Sequence, residues 1–100
     1  MRLTHEQTRW ITQTVSRLTS ETAEVFLFGS RLDDQARGGD VDLLIETDTS
    51  LTLIERARIK MELEARLGLP VDIVSRARHT APTPFQSIAR AKAARLDAQP

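Results

Sequence analysis

The chain has 100 residues, of which 14 are basic and 14 acidic, and it has no cysteine. That length suits one domain with one modest core. The zero net charge offers no global attraction for nucleic acid or membrane, and the missing thiols exclude disulfides and thiolate-held metals. No apolar run approaches the roughly 20 residues that span a bilayer, and the N-terminus lacks the apolar stretch of a signal peptide. Residues 1–100 are therefore expected to form a single soluble, cytoplasmic domain.

Thr4 to Gln7 has the form of a capping box, and Ile11, Val15 and Leu18 then recur at helical spacing. An amphipathic helix is expected from Thr4 to about Thr19. Ser20 to Glu24 reads as a connection. Val25 to Phe28 is short and rich in strand formers, hence a strand. Gly29-Ser30-Arg31 follows without a spacer, with Ser30 placed to cap a short turn, and Arg37-Gly38-Gly39 is loop chemistry. Asp40 to Glu46 is the second expected strand.

A second capping box opens at Thr52 and closes with Glu55, so a helix is expected from Thr52 to Leu67. Its apolar side is read as Ile54, Ala57, Met61 and Ala65 with Leu53, Leu63 and Leu67, and its outer side as Glu55, Arg56, Arg58, Lys60, Glu62, Glu64 and Arg66. Gly68 and Pro70 stop it. Pro70 to Ser75 is a third strand and Arg76 to Pro84 a surface loop. Phe85, Ile88, Ala89, Lys92, Ala93 and Leu96 recur at helical spacing, which predicts a last helix over residues 84–96. The order implies an α/β (α+β) fold, a small mixed sheet of three or more strands with helices packed against it.

Asp40 and Asp42 stand out, because aspartate is poor in strands and costly to bury unpaired. Residues two apart share a face, so both carboxylates point one way. The helix between the second and third strands is a crossover, which makes those strands parallel. Asp42 and Asp72 each sit near the start of their strand, so if the strands are neighbours the three carboxylates gather at one edge. The short loop from Ser30 to Gly39 makes the first two strands antiparallel and brings Gly29-Ser30 to the same edge. Two carboxylates about 6 Å apart at an effective dielectric near 20 repel by roughly 3 kcal/mol. Three such pairs rival the stability of a domain this size. With no Lys or Arg interleaved on the strands, the expected neutraliser is a hard divalent cation, Mg²⁺ shared with substrate phosphates. A glycine with backbone amides and a serine hydroxyl behind it, assisted by Arg31, is equipment for gripping phosphate. Each feature has a plainer reading: a turn at Gly29-Ser30, a solvated strand entry at Asp40 and Asp42, an edge charge at Asp72. Their order along one chain favours the joint reading.

Phe28-Gly29-Ser30-Arg31, then Asp40-Val41-Asp42-Leu43, then Val71-Asp72-Ile73 resembles the nucleotidyltransferase superfamily of DNA polymerase β. It resembles more closely the minimal nucleotidyltransferase (MNT) antitoxins that accompany HEPN-domain toxins. The resemblance implies that Gly29, Ser30 and Arg31 bind the nucleotide triphosphate. It implies that Asp40, Asp42 and Asp72 are the catalytic, metal-binding carboxylates, holding one or two Mg²⁺ ions. It implies transfer of AMP from ATP to a hydroxyl, a tyrosine, of a partner HEPN toxin in a hetero-oligomer. The chain after Asp72 leaves no room for an acceptor domain, so the acceptor surface is expected on another chain. The alternatives are an antitoxin that masks its toxin by stoichiometric binding and an aminoglycoside-type enzyme for small alcohols. Arg76, Arg78, Arg90, Lys92 and Arg95 form a basic segment without an acid, read as a solvated face rather than a nucleic-acid site, with Arg76 or Arg78 within possible reach of phosphates. His5 and His79 lack metal-ligand spacing, and Trp10 reads as packing rather than as a stacking platform.

Overall fold

Three Thr-x-x-Gln/Glu boxes start the three helices. The computed structural model describes residues 3–19, 22–29 and 39–96. Within them α1 spans His5–Leu18, α2 Leu53–Leu67 and α3 Pro84–Ala91. Thr4, Thr52 and Thr83 each accept from the backbone N–H three residues on, while Gln7, Glu55 and Gln86 reach back to the cap's own N–H. The strands are β1 Glu24–Phe28, β2 Val41–Thr47, β3 Val71–Ala77 and β4 Ala94–Leu96. They form one sheet in the order β3-β2-β1-β4. β1 runs antiparallel to β2 and β4, and β2 parallel to β3 through the crossover helix α2. No helix among the described residues is long and apolar enough to cross a membrane.

Strand alternation sorts the sheet into two unlike faces. Val25, Leu27, Val41, Leu43, Ile45, Val71 and Leu96 point to one, where Ile11 and Val15 of α1 and Ile59 and Leu63 of α2 bury against them. This is the core. The other face carries Glu24, Phe26, Phe28, Asp42, Leu44, Glu46, Asp72 and Arg76, and among the described residues α3 is the helix that crosses it.

Two sequence expectations change. The predicted last helix ends at Ala91, and Ala94–Leu96 becomes β4 instead. Leu96 does belong to an apolar face, but to the sheet's: opposite Val25 it is buried in the core, and pairing the open edge of β1 outweighs one more helical turn. The inward side of α2 is also different. Ile59 and Leu63 are fully buried, whereas Leu53, Ile54 and Met61 are exposed, Met61 by 70%. The helix has two apolar stripes, and spacing alone does not say which meets the sheet. The outward one, Leu53, Ile54, Ala57, Met61 and Ala65, lies in solvent.

The basic segment likewise does not form a free cationic face. Arg76 and Arg90 lie 2.8 and 3.6 Å from Glu46, and Arg78 meets Glu24 at 3.2 Å and Asp48 at 3.0 Å. Arg95 reaches Glu24 at 3.3 Å. Arg78 also donates to the carbonyls of Thr22 and Glu46, tying the start of β1 to the end of β2.

Candidate functional site

β2 and β3 are in register so that Asp42 stands directly beside Asp72, and β1 is in register so that Phe28 stands opposite Asp42. Asp40 lies just before β2 and is exposed. Three carboxylates and the end of β1 thus meet at one corner of the sheet, as the crossover argument required. Burial, then the charges of Asp72 and Asp40, push the Asp42 carboxyl above its usual range. Asp42 therefore senses both neighbouring carboxylates electrostatically.

Gly29 is fitted to this corner in two ways. Its φ of +76° is left-handed, a conformation that side chains resist. A Cβ built on it would collide with Asp42 Oδ2 and stand 3.1 Å from Asp42 Cγ. The backbone leaving β1 is thus pressed against the carboxylate, and only glycine allows that approach. Ser30 and Arg31, the other two residues expected to grip phosphate, lie outside the described residues.

Two residues that the sequence reading placed on the outer side of α2 belong to the site's border. Lys60 donates to the Val71 carbonyl, lies 3.2 Å from Glu64 and stands 3.8 Å from Asp72 Oδ1. Glu64 accepts the Val71 N–H at 2.9 Å, and that bond, with Lys60 second, holds its carboxyl below the usual range. Both backbone groups of the residue before Asp72 are thereby clamped from α2. The signal in sequence was the i,i+4 Lys60–Glu64 spacing, which also describes any solvated helix pair. A groove of about 470 Å³ between α2 and β3, lined by Leu53, Arg56, Ala57, Lys60, Asp72 and Ile73, opens on the same carboxylate.

Among the described residues no three carboxylate or imidazole side chains are drawn into a ready-made metal cage. An all-oxygen set of this kind suits a hard cation that takes only one or two protein carboxylates and completes its shell with water and phosphate. The donor chemistry fits such an ion. Arg76 and Arg78 bind acids at the far end of β2 and β3, so neither is directed to this corner.

Comparison with known proteins agrees with the geometry. Residues 11–95 match the family described as Polymerase beta, Nucleotidyltransferase. No curated protein sequence is detectably similar to the chain. Among solved structures, one described as a minimal nucleotidyltransferase superposes with a TM-score of 0.67 at 30% identity, covering 93% of this chain and 96% of that one. A second, at TM-score 0.73 and 18% identity, covers 96% of this chain and 74% of that one; it is a tri-AMPylated Shewanella oneidensis HEPN toxin in complex with MNT antitoxin. A third is a toxin–antitoxin complex of MntA that carries two Asp→Glu substitutions two residues apart. It superposes at TM-score 0.71 and 20% identity, with 97% of this chain and 75% of that one covered. A family match over residues 11–95 and a full-length likeness at 30% identity lead to one conclusion: the chain belongs to the polymerase beta nucleotidyltransferase family.

Proposed function

We propose that this chain is an antitoxin nucleotidyltransferase that transfers AMP from ATP to a hydroxyl, a tyrosine, of a partner HEPN-type toxin. The observation that carries the reading is the corner where Asp42 pairs in register with Asp72 and Gly29 abuts Asp42. Family membership supplies the reaction class, and the structural likeness to an MNT antitoxin in complex with an AMPylated HEPN toxin supports the partner.

In this reading Gly29, Ser30 and Arg31 grip the triphosphate. Asp40, Asp42 and Asp72 are the residues that would hold Mg²⁺, one or two ions. When bound, the metal neutralises phosphate charge as it develops. The acceptor oxygen bonds to the α-phosphorus, the bond from that phosphorus to the bridging oxygen breaks, and pyrophosphate leaves. The hydroxyl proton passes to a carboxylate oxygen of Asp72, which Lys60 and Glu64 hold in place through Val71. The acceptor approaches along the groove beside Asp72.

Incubation with ATP, Mg²⁺ and the helical product of the neighbouring gene should add the mass of AMP to that product. Loss of the adduct with Asp40→Asn/Asp42→Asn supports the reading; no adduct with the unaltered chain overturns it. A second reading, neutralisation by stoichiometric binding, is favoured by the exposed stripe Leu53, Ile54 and Met61. It predicts that the double variant still silences the toxin.

A further inference from the structure

We propose that Phe85, backed by Phe28, is the platform on which the base of the bound nucleoside triphosphate stacks. This inference rests on the nucleotide-binding reading above and adds the base subsite to it. Phe28 stands opposite Asp42 across the antiparallel β1–β2 pair, a Cα separation of about 5 Å, and shares its face of the sheet. The Phe85 ring meets that of Phe28 edge to face, with centroids 6.2 Å apart and planes at 76°. The Phe28–Phe85 pair thus stands on the face of the sheet that carries Asp42, with Phe28 directly beside it.

The exposure of that surface is the second argument. α3 buries only Ala89 and lays Arg90 over Phe26 at 4.0 Å, while Phe85 is 59% exposed and Ile88, one turn on, 61% exposed. Burying a phenylalanine is ordinarily favourable, and both residues belong to the apolar spacing that predicted the last helix. Instead the ring packs edge to face with Phe28 and stays largely in solvent, on the sheet face that carries Asp42. The edge-to-face contact fixes the ring's orientation, and a fixed aromatic face accepts any base, purines best because their overlap is largest. Trp10, the aromatic weighed from sequence, is on α1 under Arg66, behind the sheet.

The test is a fluorescence titration of the full chain with 2-aminopurine riboside triphosphate and Mg²⁺, alongside competition by inorganic tripolyphosphate, which has no base. Phe85→Ala should weaken the fluorescent nucleotide by about tenfold or more and abolish its stacking quench, with tripolyphosphate affinity unchanged. Phe85→Trp should restore both binding and quench. Equal nucleotide binding and quench in Phe85→Ala overturns the platform, as does a parallel loss of tripolyphosphate. Loss of partner binding with intact nucleotide binding also overturns it, by making the shelf a protein interface. A wild-type chain that binds tripolyphosphate but gains nothing from the base removes the platform alone. One that binds neither removes the nucleotide reading as well. Melting curves of the variants, expected to match wild type because the ring is largely exposed, exclude unfolding as the cause.

Discussion

The two ends of β2 place an acid on the same face of the same strand and treat it in opposite ways. Glu46, at the far end, is 5% exposed and has Arg76 and Arg90 within 4 Å. Asp42, four residues earlier, has two more acids as neighbours and a glycine backbone pressed against its carboxylate. Lys60 reaches the corner from α2, but it lies against Asp72 and is shared with Glu64 and the Val71 carbonyl. A structural acid is neutralised within the fold. An acid left among other acids is, in the proposed reading, one that meets its counter-charge from outside, and the difference is visible in charge pairing before any ligand is considered.

The largest break in that comparison should come from Asp42→Asn. Removing a metal carboxylate should cost AMP transfer more than about a hundredfold, since even residues behind the ligands cost 10–100-fold. Without divalent cation the same variant should melt higher than wild type, because it removes repulsion that the fold tolerates. The pH dependence follows in sign. The folded chain holds the Asp42 proton more tightly than the unfolded chain does. Stability from this group is therefore fully present below about pH 4, the unfolded carboxylate range, and is lost as pH rises through the raised folded value. The advantage of Asp42→Asn in paired denaturant melts should be near zero at the acid end and reach its maximum by neutrality.

Glu46→Ala should do the reverse. It leaves Arg76 without its carboxylate and should destabilise the chain by about 3 kcal/mol in urea unfolding, with transfer per folded molecule unchanged. Gly29→Ala belongs to both ends of the comparison. The left-handed backbone and the collision with Asp42 should cost about 1–3 kcal/mol of stability and lower transfer at the same time. A last pair, which ends on the smallest expected effect, separates the two stripes of α2. Leu63→Ala should cost about 2–4 kcal/mol, whereas Met61→Ala should stay within about 0.5 kcal/mol in the same unfolding assay.

Much of the corner was legible from residue order alone. Capping boxes at Thr4 and Thr52 located two helices, a crossover helix made β2 and β3 parallel, and the place of each aspartate near its strand's start put Asp42 and Asp72 at one edge, where the structure pairs them in register. What stayed hidden depended on contacts between distant parts of the chain. Leu96 fits a helical stripe and a strand equally well, and only the open edge of β1 decides between them. The two apolar stripes of α2 give spacing no phase, so Ile59 was missed. The arginines of residues 76–95 look free until β1 and β2 bring Glu24, Glu46 and Asp48 against them. Lys60 and Glu64 look like any exposed helix pair until Val71 lies between them.

The most direct measurement of the central claim is the melting temperature of wild type and Asp42→Asn with and without Mg²⁺ and a non-hydrolysable ATP analogue. Metal and nucleotide together should raise the wild-type value markedly and leave that of Asp42→Asn nearly unmoved, while Glu46→Gln, at the other end of the strand, should respond as wild type does. Equal shifts in wild type and Asp42→Asn would contradict the account, because the cation would then bind somewhere other than the unbalanced end of β2.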